Sequence, residues 1–227
     1  MSLPRVHQAE LLDEEGHDPA ELAHSLTQVA RVNRWLGGNR GLRRHLQPLL
    51  DRTGPVRLLD VGTGNAETLA DLLAWARRRG RRWSGIGVDR SPAVSRIASR
   101  EQELPTVRGD ALRLPFAPGS VDVAICTLTL HHFRDDEAVL LLREMKRVAR
   151  DRVLVSDLER SRLNHLGARV LAHTLWRTNR LTRHDGPLSV LRSFTAPELL
   201  ALGRRAGLRG PVVRRYMPWR LVLEGGA

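Results

Sequence analysis

The run from Val56 to Ala66 constrains the fold of this chain more than any other stretch. A strand-like segment, Val56 to Val61, ends at Gly62-Thr63-Gly64, and a helical pattern with Leu69, Leu72, Leu73 and Ala76 on one face follows at once. A buried strand that passes through a glycine turn straight into a helix is the opening of a strand-helix-strand unit. Glycines let the backbone approach a ligand closely, and the N-terminus of the following helix offers free N–H donors. The spacing reads Gly-x-Gly-x-Ala rather than the full dinucleotide fingerprint Gly-x-Gly-x-x-Gly, so a plain tight turn is the competing explanation.

The same cadence repeats downstream. A second strand, Trp83 to Val88, ends at Asp89, with Ser91-Pro92 as helix cap and first helical residue. A short third strand, Thr106 to Arg108, leads into Gly109-Asp110-Ala111, and a fourth spans Val121 to Thr127. An amphipathic helix between Asp135 and Arg150 precedes a fifth strand, Arg152 to Ser156, ending at Asp157. Alternation of this kind predicts an α/β fold with a Rossmann-like, mostly parallel sheet covered by helices on both faces. Ligands of such sheets bind at the carboxyl ends of the strands. Asp60, Asp89, Asp110, Thr127 and Asp157 all fall there and are expected to line one crevice.

Residues 1–55 read as a helical preface or cap, and 56–227 as the main body of a single domain. The first eighteen residues are polar and look like a mobile leader. Helices are expected from Pro19 to Gly37-Gly38 and over Gly41 to Leu50. After Asp157 a lid insertion, about 160–193, reads as a long helix from Arg160 to Arg180 and a loop, Arg183-His184-Asp185-Gly186-Pro187. Thr195 and Glu198 form a capping box for a last helix, and Val212 to Tyr216 with Arg220 to Leu223 form a C-terminal hairpin that includes an antiparallel strand.

Among 227 residues, 37 are basic and 25 acidic, giving +12, and Lys146 is the one lysine. An arginine excess dispersed along the chain is a weak pointer to nucleic acid. Cys126 alone builds neither an intramolecular disulfide nor a cysteine-cluster metal site, and no metal is expected. The N-terminus from Met1 to Arg5 lacks a signal peptide's apolar core, and no apolar run is long enough to span a bilayer, so a cytoplasmic protein is expected.

Taken with the acidic strand ends, the Asp60-x-Gly62-x-Gly64 turn resembles that of class I S-adenosylmethionine-dependent methyltransferases, and the likeness runs from the preface to the final hairpin. It implies a seven-stranded sheet, S-adenosyl-L-methionine as cofactor and S-adenosyl-L-homocysteine as product. It further implies that Asp60, Gly62 and Gly64 hold the methionine part, that Asp89 binds the ribose hydroxyls and that Asp110 and Ala111 border the adenine, with Thr63, Arg90 and Thr127 also binding the cofactor. Ala66 stands where many members have a third glycine. Asn33 and Arg34 of the preface are placed to reach the cofactor carboxylate or to sit on an exposed helix face.

The segment Thr127-Leu128-Thr129-Leu130-His131-His132-Phe133 and Asp157 look like small-molecule methyltransferases of quinone biosynthesis and natural-product chemistry. Arg31 to Gly38 and His184 to Ser189 resemble bacterial members linked to polyketide or phenolic-lipid chemistry. The resemblance implies O-methylation of a phenol, quinol or polyketide-type acceptor, with C-methylation of a quinone-type ring or nucleic-acid methylation as alternatives. A phenol has a pKa near 10 and a free histidine near 6.5, so an imidazole suits the proton's removal. His132 is the leading base, His131 the alternative and His184 a minor candidate, with Asp157 orienting the imidazole or the acceptor hydroxyl. Adjacent histidines in extended backbone point opposite ways, which predicts that one of them faces the substrate.

Base-amino methyltransferases carry an Asn/Asp-Pro-Pro-aromatic segment after the fourth strand, which is absent here, and Cys126 follows Ile125 inside a strand. Aromatic residues total 4%, few for base stacking. Thr195 to Gly207 suggests one helix of a DNA-reading module but lacks a second. For the positive charge, an acidic or lipid-like acceptor, an acyl-carrier partner or a membrane surface ranks above nucleic acid.

Overall fold

Seven strands form one sheet in the order β3-β2-β1-β4-β5-β7-β6 in the computed structural model, which describes residues 3–14 and 16–227 and only the backbone at 100 and 101. Met1, Ser2 and Glu15, part of the expected leader, lie outside the described residues. The strands are β1 (Val56–Val61), β2 (Trp83–Asp89), β3 (Thr106–Arg108), β4 (Val121–Thr127), β5 (Ala149–Leu158), β6 (Arg209–Tyr216) and β7 (Arg220–Gly226). Strands β1 to β5 are mutually parallel, β7 runs antiparallel to β5, and β6 pairs antiparallel with β7. Strand order reverses around β1, which pairs with β2 on one side and β4 on the other, so a ligand crevice opens beyond the carboxyl ends of these strands.

Alternate residues of each strand face opposite layers. Leu59, Cys126 and Val155 face Leu142 and Met145 of α5 (Asp135–Val148) and Leu199 of α8 (Ala196–Arg205). Leu58, Ile125 and Leu154 belong to the other core, with Leu69 and Leu72 of α3 (Glu67–Arg77). Leu42 and Leu46 of α2 (Gly38–Leu46) complete that layer, so this part of the preface is integral to the core. The second preface helix thus begins three residues earlier than expected and ends at Leu46, where a 3-10 turn, Gln47–Asp51, takes over. Burial pushes the Cys126 thiol well above its usual pKa, as befits an inert core residue.

Helices α1 (Pro19–Trp35), α6 (Arg162–His173) and α7 (Arg180–Arg192) border the carboxyl side of the sheet, and α4 (Pro92–Gln102) follows β2. Two expectations fail here. The lid is two helices broken at Thr174 to Asn179, and the expected Arg183-to-Pro187 loop is helical despite Pro187. Asn179 caps α7 by accepting from the Thr182 N–H, and the Ser189 hydroxyl, 2.9 Å from the Asp185 carbonyl, shares its one proton between that carbonyl and the Glu10 carboxylate. A side chain at Gly186 would run into buried Trp176, so glycine here serves helix packing rather than a loop.

The leader is also no free tail over its described residues. Arg5 donates to the carbonyls of Phe133 and Arg192, Leu11 and Leu12 N–H groups donate to Asp185, and Glu10 is buried. Among the described residues no helix is long and apolar enough to cross a membrane.

A Cβ on Gly41 of α2 would lie 2.7 Å from Val222 Cγ2 and 3.1 Å from the Tyr216 ring. Gly41→Val is therefore expected to cost about 1–3 kcal/mol by overpacking α2 against the β6–β7 hairpin. Urea unfolding would show this as a lower midpoint with an unchanged slope.

Candidate active site

The crevice is a cleft of about 1620 Å³ at the carboxyl ends of β1, β2, β4 and β5. Single-ligand pockets usually span about 300–1,000 Å³, so this cleft is larger than one such ligand requires.

One half is built on the β1–α3 turn. Gly62 has φ +69°, and a Cβ there would collide with the Thr129 side chain, whose hydroxyl donates to the Gly62 carbonyl. Gly64, at φ +56°, has open space where a Cβ would stand. Ala66, the residue in place of a third glycine, is buried and also left-handed at φ +58°, a conformation that disfavours its methyl group. Asp89 accepts from the Gly64 N–H at 3.1 Å and the Ser91 N–H at 3.0 Å, which fixes its carboxylate at the cleft wall. Asp60 accepts from the Thr63 hydroxyl at 2.8 Å, and its other carboxylate oxygen is buried without a partner. Burial raises the Asp60 pKa to about 7, against the opposing Thr63 bond.

Of the strand-end residues expected to line the crevice, Asp89, Asp110 and Thr127 do so, together with Gly62, Thr63, Gly64, Arg90 and Ala111. Asp60 and Asp157 are fully buried behind the lining. Asn33 is buried and lines the cleft, whereas Arg34 is exposed and outside the lining, and pairs with Glu67, which does line it. Successive helical residues are separated by 100°, so one of this pair faces in and the other out.

The other half holds the histidines. Leu130 to His132 form a 3-10 turn rather than extended backbone, and the two imidazoles lie side by side, centroids 4.4 Å apart. The expectation that adjacent histidines diverge fails for that reason. His131 Nδ1 is 2.7 Å from Asp157, which also accepts the His131 backbone N–H. Asp157 thus orients His131. His132 Nδ1 instead contacts Asp13, at 3.0 Å.

Glu10 closes this cluster from the leader. Its carboxylate accepts from the Ser189 hydroxyl at 2.9 Å and lies 3.4 Å from His131 Nε2, 3.8 Å from His132 Nε2 and 3.7 Å from Arg192 Nε. Although burial disfavours charge, Asp157 and Glu10 raise the His131 pKa to about 10, so its imidazolium form bridges the two carboxylates at neutral pH. Burial likewise opposes the charge on Asp13, but His132 and Arg192 hold its pKa at about 2. Arg192 also donates to the carbonyls of Gln8 and His132.

Glu10, His131 and His132 bring three potential metal-ligand atoms within 4.8 Å of one another, a cluster the sequence did not announce. Here the His131 Nε2 proton faces Glu10, and Arg192 stands beside the same carboxylate, an arrangement suited to holding protons. His184, on the helical stretch that was expected as a loop, points away from the cleft lining and pairs with Asp185 at 2.8 Å. Glu10, Asp13, Arg192 and Ser189 are residues that sequence reasoning missed. Glu10 and Asp13 lie in a stretch without periodicity, and acidity opposite a histidine pair was the one available signal.

The His131 network fixes a pH dependence. A group with a folded pKa raised from 6.5 to about 10 contributes stability that is complete below pH 6.5 and lost as pH rises through about 10. The stability difference between wild type and His131→Asn is expected to shrink across that window in thermal unfolding. A constant difference would contradict the bridging imidazolium.

Comparison with known proteins places these residues in context. Residues 59–155 match the model of the methyltransferase domain family. A demethylmenaquinone methyltransferase of Roseiflexus sp. (strain RS-1) is 38% identical over 112 residues, 48% of this chain and 44% of the relative. Another, from Mycolicibacterium vanbaalenii, is 32% identical over 142 residues, 59% of this chain and 57% of the relative. The chain thus matches about half the length of these curated relatives. Among solved structures, a SAM dependent methyltransferase from Aquifex aeolicus has a TM-score of 0.62 at 16% identity, covering 93% of this chain and 99% of that one. Human N-acetylserotonin methyltransferase in complex with SAM has a TM-score of 0.67 at 15% identity, covering 92% and 56%. At such identities the likeness speaks to the fold alone.

Proposed function

We propose that this chain, a class I S-adenosylmethionine-dependent methyltransferase, transfers a methyl group to a hydroxylated aromatic ring of the hydroquinone or phenol class. The observation that carries this reading is the cleft itself: a glycine and carboxylate cradle in one half and a carboxylate-held histidine pair in the other.

The residues fit the cofactor. Asp89 keeps lone pairs free for ribose hydroxyls beyond its two backbone bonds, and Asp110 and Ala111 border the adenine space. Gly62, Thr63 and Gly64 flank the methionine part, and the unpartnered Asp60 oxygen behind them is an acceptor in reserve. When bound, the cofactor supplies a sulfonium methyl already activated for displacement.

The protein's task is then alignment and management of one proton. In this reading His132, half-buried at the cleft wall and steadied by Asp13, takes the proton from the acceptor hydroxyl. His131, held as an imidazolium by Asp157, stabilises the resulting oxyanion once Glu10 yields its place to the acceptor. Leu22, Leu26, Leu158 and Trp219 give the acceptor half apolar walls that receive a flat ring and exclude water.

An aromatic oxyanion is nucleophilic at oxygen and at the adjacent ring carbon. Transfer to oxygen leaves the hydroxyl proton on the base; transfer to carbon gives a neutral dienone, which regains aromaticity when its ring proton leaves to solvent and the base returns the hydroxyl proton to oxygen. The names of the curated relatives favour a quinone-type ring, and with it ring-carbon methylation over the O-methylation expected from sequence.

Two outcomes are expected with a soluble naphthohydroquinone as acceptor. His132→Ala lowers kcat about 10²- to 10⁴-fold while cofactor affinity is retained, as measured by calorimetry and initial rates. Asp89→Ala weakens cofactor binding by at least about tenfold, the scale of one lost charge-assisted hydrogen bond. Near-wild-type turnover of His132→Ala would remove it as the base.

A further inference from the structure

Helix α6 carries apolar side chains where a soluble surface has little use for them. Leu163, Leu166 and Val170, at helical spacing i, i+3, i+7, are 67%, 58% and 55% exposed, and Leu175 beyond the helix is 53% exposed. The opposite face, Asn164, Ala168 and Ala172, is buried, so the stripe is the outward side of a packed helix. The same three side chains also border the cleft, and the stripe therefore runs from the outer surface into the pocket mouth. Across that mouth stands Trp219, 3.1 Å from where a Cβ of Gly167 would lie, and Met217 in the same hairpin turn is 80% exposed.

The charged side chains of α6 itself have one sign. Arg162 and Arg169 lie beside it on α6, and both are exposed. From residue 162 to 192 the chain has six arginines and one acid; Arg192 and Asp185 are both buried against the leader and Arg180 pairs with Glu21, which leaves Arg162, Arg169, Arg177 and Arg183 as the exposed cations of this stretch. An exposed apolar stripe flanked by arginines has the make-up of a helix that lies in a lipid interface, its apolar face among acyl chains and its cations at headgroup phosphates. A purely polar partner would leave the leucines unexplained, and a purely apolar one would strand the arginines.

We propose that α6 and the Met217–Trp219 turn dock this protein onto an anionic membrane surface, with the cleft mouth facing the lipid. A lipid-soluble acceptor would then pass along the stripe into the cleft without crossing water. The surface stands on its own observations, while this route for the acceptor rests on the methyl-transfer reading above.

Flotation of the full chain with vesicles of phosphatidylglycerol and phosphatidylcholine tests the docking separately from the chemistry. Wild type is expected to float with anionic vesicles, bind pure phosphatidylcholine at least about tenfold more weakly, and be released by salt. The double variant Arg162→Glu/Arg169→Glu is expected to lose at least about tenfold in anionic-vesicle affinity while retaining cofactor binding and turnover of a soluble hydroquinone. Leu163→Gln should weaken vesicle binding independently of charge. Failure of wild type to float would overturn the proposal, as would equal flotation by the charge-reversed variant. Dimerisation through the same leucines in sedimentation, without vesicle binding, would assign the stripe to a second copy and also overturn it. Vesicle binding without turnover of any aromatic acceptor would uphold the docking and contradict the function.

Discussion

The histidine side of the cleft depends on one buried contact, the His131 imidazole between the carboxylates of Asp157 and Glu10. Asp157 comes from the end of β5, His131 from the turn after β4 and Glu10 from the leader, so a single ring joins three distant stretches of chain. Removing one member of a buried ion group strands the others, at a cost of about 3–5 kcal/mol. Arg192 extends the lock to α7, through Glu10, Asp13 and the carbonyls of Gln8 and His132. Closure of the leader and the protonation of the site are therefore the same interaction.

That lock divides the cleft. The glycine turn and Asp89 belong to the sheet and need nothing from the leader, so the half proposed for the cofactor is preformed. The half proposed for the acceptor is completed by residues from the leader and α7, elements added to the sheet. A scaffold of this kind keeps the cofactor's geometry constant while changes in the leader and lid alter the acceptor. Glu10, buried beside His131 where the acceptor is proposed to bind, is the residue through which acceptor entry and leader movement would be coupled.

Much of the fold was legible because it rests on local periodicity. Strands β1 and β4 and the glycine turn follow from apolar runs bounded by punctuation residues, and the Thr195 capping box announced α8. In the lid, local rules conflict with packing: Gly186 and Pro187 suggest a loop, yet Trp176 requires the glycine and Asn179 and Ser189 support a helix around the proline. The histidines were identified by type, but their relative direction depends on a 3-10 turn that no pattern encodes. Glu10 was illegible because its partners lie about 120 and 180 residues away, and a single acid in a polar segment carries no period.

The central claim is that an acceptor hydroxyl is deprotonated within this cleft so that its ring accepts the methyl group. The most direct measurement is mass-spectrometric product analysis with methyl-labelled cofactor and two acceptors, a free naphthohydroquinone and the same ring with both hydroxyls capped as ethers. The account predicts one labelled methyl on the free ring, placed at carbon or oxygen by fragmentation, and none on the capped ring. Equal labelling of both rings, or no labelled ring despite tight cofactor binding, would contradict it.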